Sequence, residues 1–300
     1  KPLFNSAISG AYPSGSTIKP AIAAAALQEG IITPKTHFLS TGGISVESWF
    51  FSDWLSGGHG VTDVRQSLSW SVNTFYYYIG GGYKNFKGLG VEKTVEYLKL
   101  FGLDSKLGID LPYESKGFLP DKKWKEETKK EKWYIGDTYN ISIGQGDVLV
   151  TPLQIAGLTS IVANRGTLYK PHAVKATIDA LTRKEQEIKP SIIRENIIAK
   201  ENLQTVALGM KDCVDYGSCR RLLSLPMQTA GKTGTAQWSS NKDPHAWFTV
   251  FAPFNKPQIV LTILIEEGGS GSGTAIMAAE QFLNWWLMNK VYRQPNTPLL

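Results

Sequence analysis

A serine and a lysine lie three residues apart in YPSGSTIKPAIAAAAL, near the start of the chain. On a helix, Ser16 and Lys19 would lie on one face, one turn apart. The small apolar residues that follow predict a desolvated setting, which lowers the pKa of a lysine so that it can act as a neutral base. A serine hydroxyl near a helix N-terminus, with such a base beside it, is an activated nucleophile.

Ser-x-x-Lys by itself is a weak motif, because an N-capping serine followed by a lysine that extends towards solvent gives the same pattern. Two further patterns strengthen it: Ser-Val-Asn at 71–73, between two predicted helices, and Lys-Thr-Gly-Thr at 232–235, on a predicted strand. Each also has a structural interpretation, as turn residues and as a lysine on an edge strand. Their order and their predicted contexts together favour one active site.

The elements that would position these motifs are helical first and extended later. Helices are predicted at 16–27 with Gly30 after the end, at 62–70 with Thr62 or Asp63 as N-cap, in VEKTVEYLKLFGL, from Thr151 to Gly166, in KENLQTVALGMKDCV and at 274–288. Strands are predicted in MQTAGKTGTAQW, HAWFTVFAPF and QIVLTILIEE, the last two joined by a hairpin-like turn. An irregular excursion is predicted in GIDLPYESKGFLPD. The order of elements indicates an α+β fold.

Charge and hydropathy exclude some classes of function. The net charge is +6, but the charges are scattered apart from DKKWKEETKKEKW, which alternates in sign and predicts a solvated surface segment. No basic-aromatic module accompanies it, so we expect no nucleic-acid partner. No apolar run approaches the ~20 residues of a transmembrane helix.

Two cysteines, Cys213 and Cys219, lie in KDCVDYGSC. Their spacing and the glycine between them allow a small disulfide-closed loop in an oxidising compartment, and two free thiols are an equally good interpretation. No histidine or further cysteine stands nearby to complete a metal site.

With its three motifs, the chain resembles the transpeptidase domain of class B penicillin-binding proteins, and within that family the elongation type, penicillin-binding protein 2. Ser-x-x-Lys, Ser-Asp-Asn and Lys-Thr-Gly occur together in such enzymes and in class A β-lactamases. Three stretches add to the resemblance: NSAISGAYPSGSTIKP, LGIDLPYES with WYIGDTYNISIGQGDVLVTPLQ, and AGKTGTAQW with HAWFTVFAPF. It covers the chain from Lys1 to about Trp286.

The resemblance implies the penicillin-binding-protein/β-lactamase-like fold, an antiparallel sheet flanked by helices with an additional helical subdomain. One transpeptidase domain would occupy residues 1–300, with the helical subdomain at roughly 31–140, late strands at 227–267 and the last helix at 274–288. The family's membrane anchor, pedestal domain and early strands would lie outside this chain.

The first two motifs would carry the proton transfers, as the resemblance implies. Ser16 would be acylated by the penultimate D-Ala of a peptidoglycan stem peptide, with release of the terminal D-Ala, and Lys19 would take the serine proton. Ser71 would relay a proton to the leaving amine. Asn73 would hold Lys19 and the substrate amide.

The third motif would bind the substrate. Lys232 would supply positive potential for the substrate carboxylate, and Thr233 and Thr235 would hydrogen-bond to it. Gly234 would let the substrate backbone approach the strand closely. The backbone N–H groups of Ser16 and Thr235 would form the oxyanion hole.

The resemblance also implies β-lactam antibiotics as acylating ligands, a membrane glycosyltransferase as partner in cell-wall elongation, and no cofactor. The location would be the extracytoplasmic face of a bacterial cytoplasmic membrane. Some relatives hold a metal between the first two motifs with Asp, His and Cys. Asp53 and His59 occur in FFSDWLSGGHG without a cysteine, so no metal is expected.

Three alternatives share the fold: a D,D-carboxypeptidase, a β-lactamase and a non-catalytic scaffold. No glutamate stands in a loop like that of class A β-lactamases, which disfavours rapid hydrolysis of an acyl-enzyme. The complete set of motif residues disfavours a scaffold, because a scaffold needs no activated nucleophile.

Overall fold

A computed structural model describes residues 4–291 of the chain. Its helices are α1 (Lys19–Gln28), α2 (Val64–Ser69), α3 (Asn73–Gly81), α4 (Gly90–Leu100), α5 (Lys122–Trp124), α6 (Ile135–Ser142), α7 (Pro152–Asn164), α8 (Lys200–Asp215) and α9 (Ile276–Val291). Its strands are β1 (Tyr12–Pro13), β2 (His37–Ser40), β3 (Gly43–Val46), β4 (Trp49–Ser52), β5 (Gly60–Asp63), β6 (Leu149–Val150), β7 (Leu168–Lys170), β8 (Ala176–Ile178), β9 (Glu185–Glu187), β10 (Ser191–Arg194), β11 (Ala230–Ala236), β12 (His245–Ala252) and β13 (Ile259–Ile265). The mixed α+β composition agrees with the prediction.

The sheet that carries the third motif has the antiparallel order β11-β12-β13. β12 is buried along its whole length. Phe248 on one of its faces belongs to the core shared with α9, whereas Trp247 on the other belongs to the core around α1 and α7. The sheet is therefore the middle of three layers, and the two late strands predicted as a hairpin do pair, as β12 and β13.

Helix α1 is the central buried helix that its composition predicts. All residues from Lys19 to Leu27 are buried. Helices α3, α4 and α8 pack against it, because its small side chains permit close approach on several sides. Gly30, in the left-handed conformation with φ of 67°, follows its end as expected.

The capping signals read from the sequence begin helices in the structure. The Thr151 hydroxyl accepts from the Gln154 N–H, and the Gln154 side chain accepts from the Thr151 N–H, which forms a capping box at α7. Of the two residues left open for α2, Asp63 is the cap and forms the same arrangement with Gln66.

The region at roughly 31–140 is not wholly helical, because it contains strands that were not predicted. β2 pairs with β5, and β3 pairs with β4. Each of these strands has four residues, and Trp49 and Phe50 of β4 are both exposed. Such short segments lack the alternation of apolar and polar residues from which a strand is predicted.

The surface elements agree with the sequence analysis. The charged segment at 121–133 is largely exposed, and the segment at 108–120 contains no helix or strand. Helix α9 is preceded by a turn at Gly271–Ala275, so it begins two residues after the predicted Thr274. Across residues 4–291, no helix combines the length and the apolar composition that a membrane span requires.

Candidate active site

The first motif lies in a tight helical turn, Gly15–Ile18, that leads directly into α1. The Gly15 N–H donates to the Gly144 carbonyl oxygen at 2.8 Å, and the Thr17 hydroxyl donates to the Ser14 carbonyl oxygen at 2.7 Å. Ser16 is half-buried and is the second residue of this turn. These two bonds fix the backbone that carries Ser16.

Lys19 joins the first motif to the second. Its Nζ donates to Asn73 Oδ1 at 2.6 Å, to the Ser71 carbonyl oxygen at 2.8 Å and to Ser71 Oγ at 3.3 Å. The same Nζ lies 4.8 Å from the centre of the Tyr76 ring, which is also fully buried. The structure therefore brings together the predicted Lys19, Ser71 and Asn73, and it adds Tyr76, which no sequence signal indicated.

Burial lowers the pKa of Lys19. The side chain is 0% exposed. Loss of hydration lowers the pKa of Lys19 to about 7, against the opposing effect of the Asp53 charge. At neutral pH, Lys19 is therefore neutral in a substantial fraction of the molecules. A general base must be in this neutral state.

The second motif lies where α2 ends and α3 begins, as predicted. Ser71 has a φ of 60°, in the left-handed region that few non-glycine residues adopt. This conformation turns the chain sharply between the two helices and presents both the carbonyl and the hydroxyl oxygen of Ser71 to Lys19. Such backbone strain is common at functional sites.

Asp53 supplies the cap that α3 lacks. The N-cap residue of α3 is Val72, whose side chain cannot accept a hydrogen bond. The Asp53 carboxylate instead accepts from the Asn73 N–H at 3.1 Å and from the Thr74 N–H at 3.0 Å and hydroxyl at 2.8 Å. Burial would raise the pKa of Asp53, but the bonds from Thr74 and Asn73 and the Lys19 charge lower it below its usual value.

Asp53 and His59 do not fit a metal site. His59 Nδ1 lies 3.9 Å from Asp53 Oδ2, and both ring nitrogens of His59 are buried without a hydrogen bond. The Asp53 oxygens are already taken by donors from α3, by Ser40 Oγ and by the Trp54 N–H. In the described part of the chain, no group of three or more His, Cys, Asp or Glu residues could hold a metal ion. We therefore derive no step through a metal.

The third motif lies on β11, against the serine turn. A Cβ built at Gly15 would lie 2.7 Å from the Thr235 carbonyl oxygen, so the two backbones touch. Gln145 Nε2 donates to the same oxygen at 3.2 Å. Thr235 is exposed and Thr233 is buried. The segment at Gly144 and Gln145 therefore supports both motifs, a function that its sequence did not indicate.

The packing of the protein gives a reason for a glycine at position 234. A Cβ at Gly234 would lie 2.8 Å from Thr17 Cγ2 and 3.0 Å from Trp247 Cβ. Both neighbours belong to the body of the domain. Gly234 therefore lies beside the serine turn, and the approach of a substrate backbone at this glycine stays a prediction.

Lys232 is a second fully buried lysine. Its Nζ donates to the Thr233 carbonyl oxygen at 3.0 Å, and within residues 4–291 it takes part in no ion pair. Burial, and then the charge of Lys19, lower its pKa well below the usual value. A fully buried lysine that lies close enough to Lys19 to sense its charge would be stabilised in its charged form by an anionic ligand.

The two cysteines form a disulfide, which decides between the two interpretations of their spacing. The Cys213 and Cys219 sulfurs are bonded, and both residues are fully buried. The loop between them contains Ser218, whose hydroxyl lies 2.9 Å from Thr233 Oγ1. Sequence reasoning did not connect this loop with the third motif.

A sequence comparison identifies the domain. A family model described as the penicillin-binding protein transpeptidase domain matches residues 1–284. The chain belongs to this transpeptidase family. The fold and the resemblance that the three motifs predicted are thereby confirmed.

Curated relatives of this domain are named peptidoglycan D,D-transpeptidases. The chain is 33% identical to a peptidoglycan D,D-transpeptidase MrdA of Acinetobacter baumannii, over 97% of the chain and 44% of the relative. It is 31% identical to MrdA of Escherichia coli K12, over 90% of the chain and 44% of the relative. The chain thus spans less than half the length of these curated relatives.

Solved structures of transpeptidase proteins have the same fold. Pseudomonas aeruginosa PBP2 in complex with WCK 5153 superposes with a TM-score of 0.85 at 31% identity, over 98% of this chain and 66% of that one. A complex of PBP2 with MreC from Helicobacter pylori gives a TM-score of 0.81 at 29% identity, over 96% of this chain and 52% of that one. These neighbours agree with the resemblance to penicillin-binding protein 2.

Proposed function

We propose that the chain is a serine-type peptidoglycan D,D-transpeptidase that cross-links stem peptides through an acyl-enzyme. The observation that carries the proposal is the bonding of a fully buried Lys19, with a pKa of about 7, to Ser71 and Asn73. A lysine in this state can accept a serine proton and pass it on through the second motif. The family and the names of its relatives support the same activity.

Acylation would begin at Ser16. Its Oγ attacks the carbonyl carbon of the penultimate D-Ala while Lys19 takes the hydroxyl proton. The oxyanion of the tetrahedral intermediate is stabilised by the N–H groups of Ser16 and Thr235, each contributing roughly 3 kcal/mol. When the peptide C–N bond breaks, Ser71 delivers a proton from Lys19 to the leaving D-Ala nitrogen. The products are the Ser16 ester and free D-Ala.

Recognition of the substrate would depend on its terminal carboxylate. Lys232, Thr233 and Thr235 lie along β11 beside the serine turn, where an anion would supply the missing negative charge. Binding of this anion would raise the pKa of Lys232 and so favour the charged form of that lysine. The carboxylate of a β-lactam would bind to the same residues, followed by acylation of Ser16.

Cross-linking would complete the cycle. The amine of a second stem peptide attacks the Ser16 ester, its proton passes to Lys19, and the serine hydroxyl is regenerated as the new peptide bond forms. We infer a role in cell-wall elongation at the extracytoplasmic face of the bacterial cytoplasmic membrane, with a membrane glycosyltransferase as partner. The disulfide supports an oxidising compartment. A similar solved structure, at 30% identity, is described as a peptidoglycan synthase complex that coordinates polymerization and crosslinking.

Covalent labelling tests the nucleophile. Incubation with a penicillin, followed by proteolysis and mass spectrometry, is expected to place the adduct on the peptide that contains Ser16. Ser16→Ala is expected to abolish it, whereas Ser9→Ala, in the same segment, is expected to label normally. An adduct that persists in Ser16→Ala would overturn the assignment of the nucleophile.

The acceptor distinguishes the proposed activity from its nearest alternatives. With a stem pentapeptide and an added D-amino acid, a transpeptidase is expected to form the exchanged peptide, whereas a D,D-carboxypeptidase releases only the tetrapeptide. The acyl-enzyme formed with labelled penicillin is expected to persist for many minutes. Its release within seconds would indicate a β-lactamase, and a failure to label would indicate a scaffold.

A further inference from the structure

The loop closed by the disulfide reaches from α8 to the third motif. Ser218 occupies the position just before Cys219, and its Oγ lies 2.9 Å from Thr233 Oγ1. Its N–H donates to the Ser69 carbonyl oxygen at 3.0 Å, and its hydroxyl donates to the same oxygen at 3.3 Å. Ser69 is the last residue of α2, just before the second motif. Ser218 therefore bridges the elements that carry two of the three motifs.

The backbone around Ser218 is closely constrained. The Cys219 N–H donates to the Cys213 carbonyl oxygen at 2.8 Å, inside the ring that the disulfide closes. Any side chain at Gly217 would overlap the Ser69 carbonyl group. Arg65 of α2 also donates to both carboxylate oxygens of Asp212 in α8, at 2.7 and 2.8 Å. The loop is consequently held against α2 at several points, and Ser218 has little freedom to move.

We propose that Ser218 is a positioning residue that orients the Thr233 hydroxyl towards the carboxylate of the substrate, and that the Cys213–Cys219 disulfide holds it in place. The inference rests on the proposed function, because it assumes that Thr233 binds that carboxylate. Thr233 is buried and sits on β11 directly after Lys232. Ser218 acts through Thr233 and does not touch the reacting atoms.

The direction of the hydrogen bond follows from the chemistry of a bound anion. A carboxylate can only accept hydrogen bonds, so Thr233 must donate its single hydroxyl proton to it. The Thr233 oxygen can then act towards Ser218 only as an acceptor, so the single Ser218 proton must point to Thr233 Oγ1, at 2.9 Å, and not to the Ser69 carbonyl oxygen, at 3.3 Å. A serine or threonine at position 218 can donate in this way, and an alanine cannot.

The disulfide fixes the loop and leaves the sulfur next to Ser218 without a proton. Cys213 Sγ lies 3.2 Å from Ser218 Oγ. A thiol at that place could donate a hydrogen bond to Ser218, whereas a disulfide sulfur has no proton to donate. The Ser69 carbonyl oxygen can only accept as well. Among these three neighbours of Ser218, only Thr233 can act either as a donor or as an acceptor.

The test compares acylation by a penicillin with acylation by its methyl ester, which lacks the carboxylate charge. In the unaltered chain, the free acid is expected to react much faster than the ester. Ser218→Ala is expected to lower the second-order rate constant about 10-fold for the acid and to leave that for the ester nearly unchanged. Ser218→Thr keeps the hydroxyl and is expected to restore the rate with the acid. Ser224→Ala is the matched control, because that hydroxyl bonds to Arg221 and Glu280 instead.

Equal losses with acid and ester in Ser218→Ala, or no loss with either, would overturn the inference. If the unaltered chain is acylated at Ser16 but does not distinguish acid from ester, the inference fails while the proposed function stands. If penicillin does not acylate Ser16 at all, the proposed function itself fails.

The contribution of the disulfide is measured in a double-mutant cycle. Replacing both cysteines by alanine is expected to lower the rate with the acid about threefold, and to reduce the further effect of Ser218→Ala. If the fold-losses in rate from the cysteine replacements and from Ser218→Ala simply multiply in the combined variant, the disulfide does not act through Ser218.

Discussion

At the scale of single residues, loss of hydration sets the pKa of Lys19, the residue that we propose as the base for Ser16. The lysine is fully buried, and its three hydrogen-bonding protons meet oxygen atoms of Ser71 and Asn73. The Asp53 charge raises its pKa, but burial has the larger effect and lowers the pKa to about 7. The motif alone predicted the direction of this shift, because the small apolar residues after Lys19 are visible in the sequence.

The rate of acylation is expected to depend on pH with a midpoint near the Lys19 pKa of about 7. Below that pH the lysine is charged and cannot take the serine proton, so the rate constant should fall about tenfold per pH unit, and above it the rate should level off. Second-order rate constants with a fluorescent penicillin check this. Lys19→Arg stays charged and is expected to be inactive at every pH. A rate that falls as pH rises through 7 would contradict the role of Lys19 as base.

Asp53→Asn is expected to change both the rate and the pH profile of acylation. Loss of the Asp53 charge removes an influence that raises the pKa of Lys19, so the midpoint should move to lower pH. The weaker cap on α3 should also lower the plateau rate, by about 10-fold. The pH profile of the variant measures both effects.

Asp121→Asn is the control for this variant, because Asp121 caps α5 through the Trp124 N–H at 2.7 Å in the same manner. It is expected to leave the profile unchanged. An unshifted midpoint in Asp53→Asn would mean that Lys19 does not sense the carboxylate.

At the scale of elements, the sequence predicts those helix starts that depend only on neighbouring residues. The capping boxes of α2 and α7 each lie within four consecutive residues, so both helix starts can be read directly. The cap of α3 comes from Asp53, 20 residues before Asn73, and no local pattern announces it. For the same reason the sequence offered Asp53 only as a candidate metal ligand. β2 to β5 were missed because they are short and depend on pairing with each other for their stability.

The contact between the serine turn and β11 is expected to tolerate no side chain at position 234. Gly234→Ala would place a Cβ against Thr17 and Trp247, so the turn and the strand must move apart. Acylation by penicillin is expected to fall at least ~10-fold, because small displacements of catalytic groups are costly. Circular dichroism is expected to show that the fold persists.

Gly57→Ala is the matched control for Gly234→Ala. A Cβ at Gly57 would have no heavy atom within 4 Å, and its φ is not in the left-handed region. This variant is expected to be acylated at the normal rate. A normal rate in Gly234→Ala as well would show that the turn and the strand can separate without consequence.

At the scale of the whole molecule, the sequence names candidate residues for the site but not the segments that support them. The chemistry fixes the residue types of the three motifs, so Ser16, Lys19, Ser71, Asn73 and Lys232 could be read from the sequence. The supports of the site could not, because Gly144, Gln145, Trp247 and Ser218 contribute through packing and backbone contacts that many residue types could make. Such contacts depend on how distant segments meet in three dimensions.

Because the candidate site depends on contacts between segments far apart in sequence, we expect acylation to report complete folding. The Trp247 Nε1 group donates to the Pro13 carbonyl oxygen at 2.9 Å, across 234 residues of chain, and so ties the last sheet to the serine turn. Contacts between such remote segments close large loops and tend to form late in folding. During refolding, we expect the helical circular dichroism signal to return first and reactivity towards a fluorescent penicillin to return later. Recovery of both signals at the same rate would contradict this order. A penicillin pulse therefore counts the molecules that have completed their longest-range contacts.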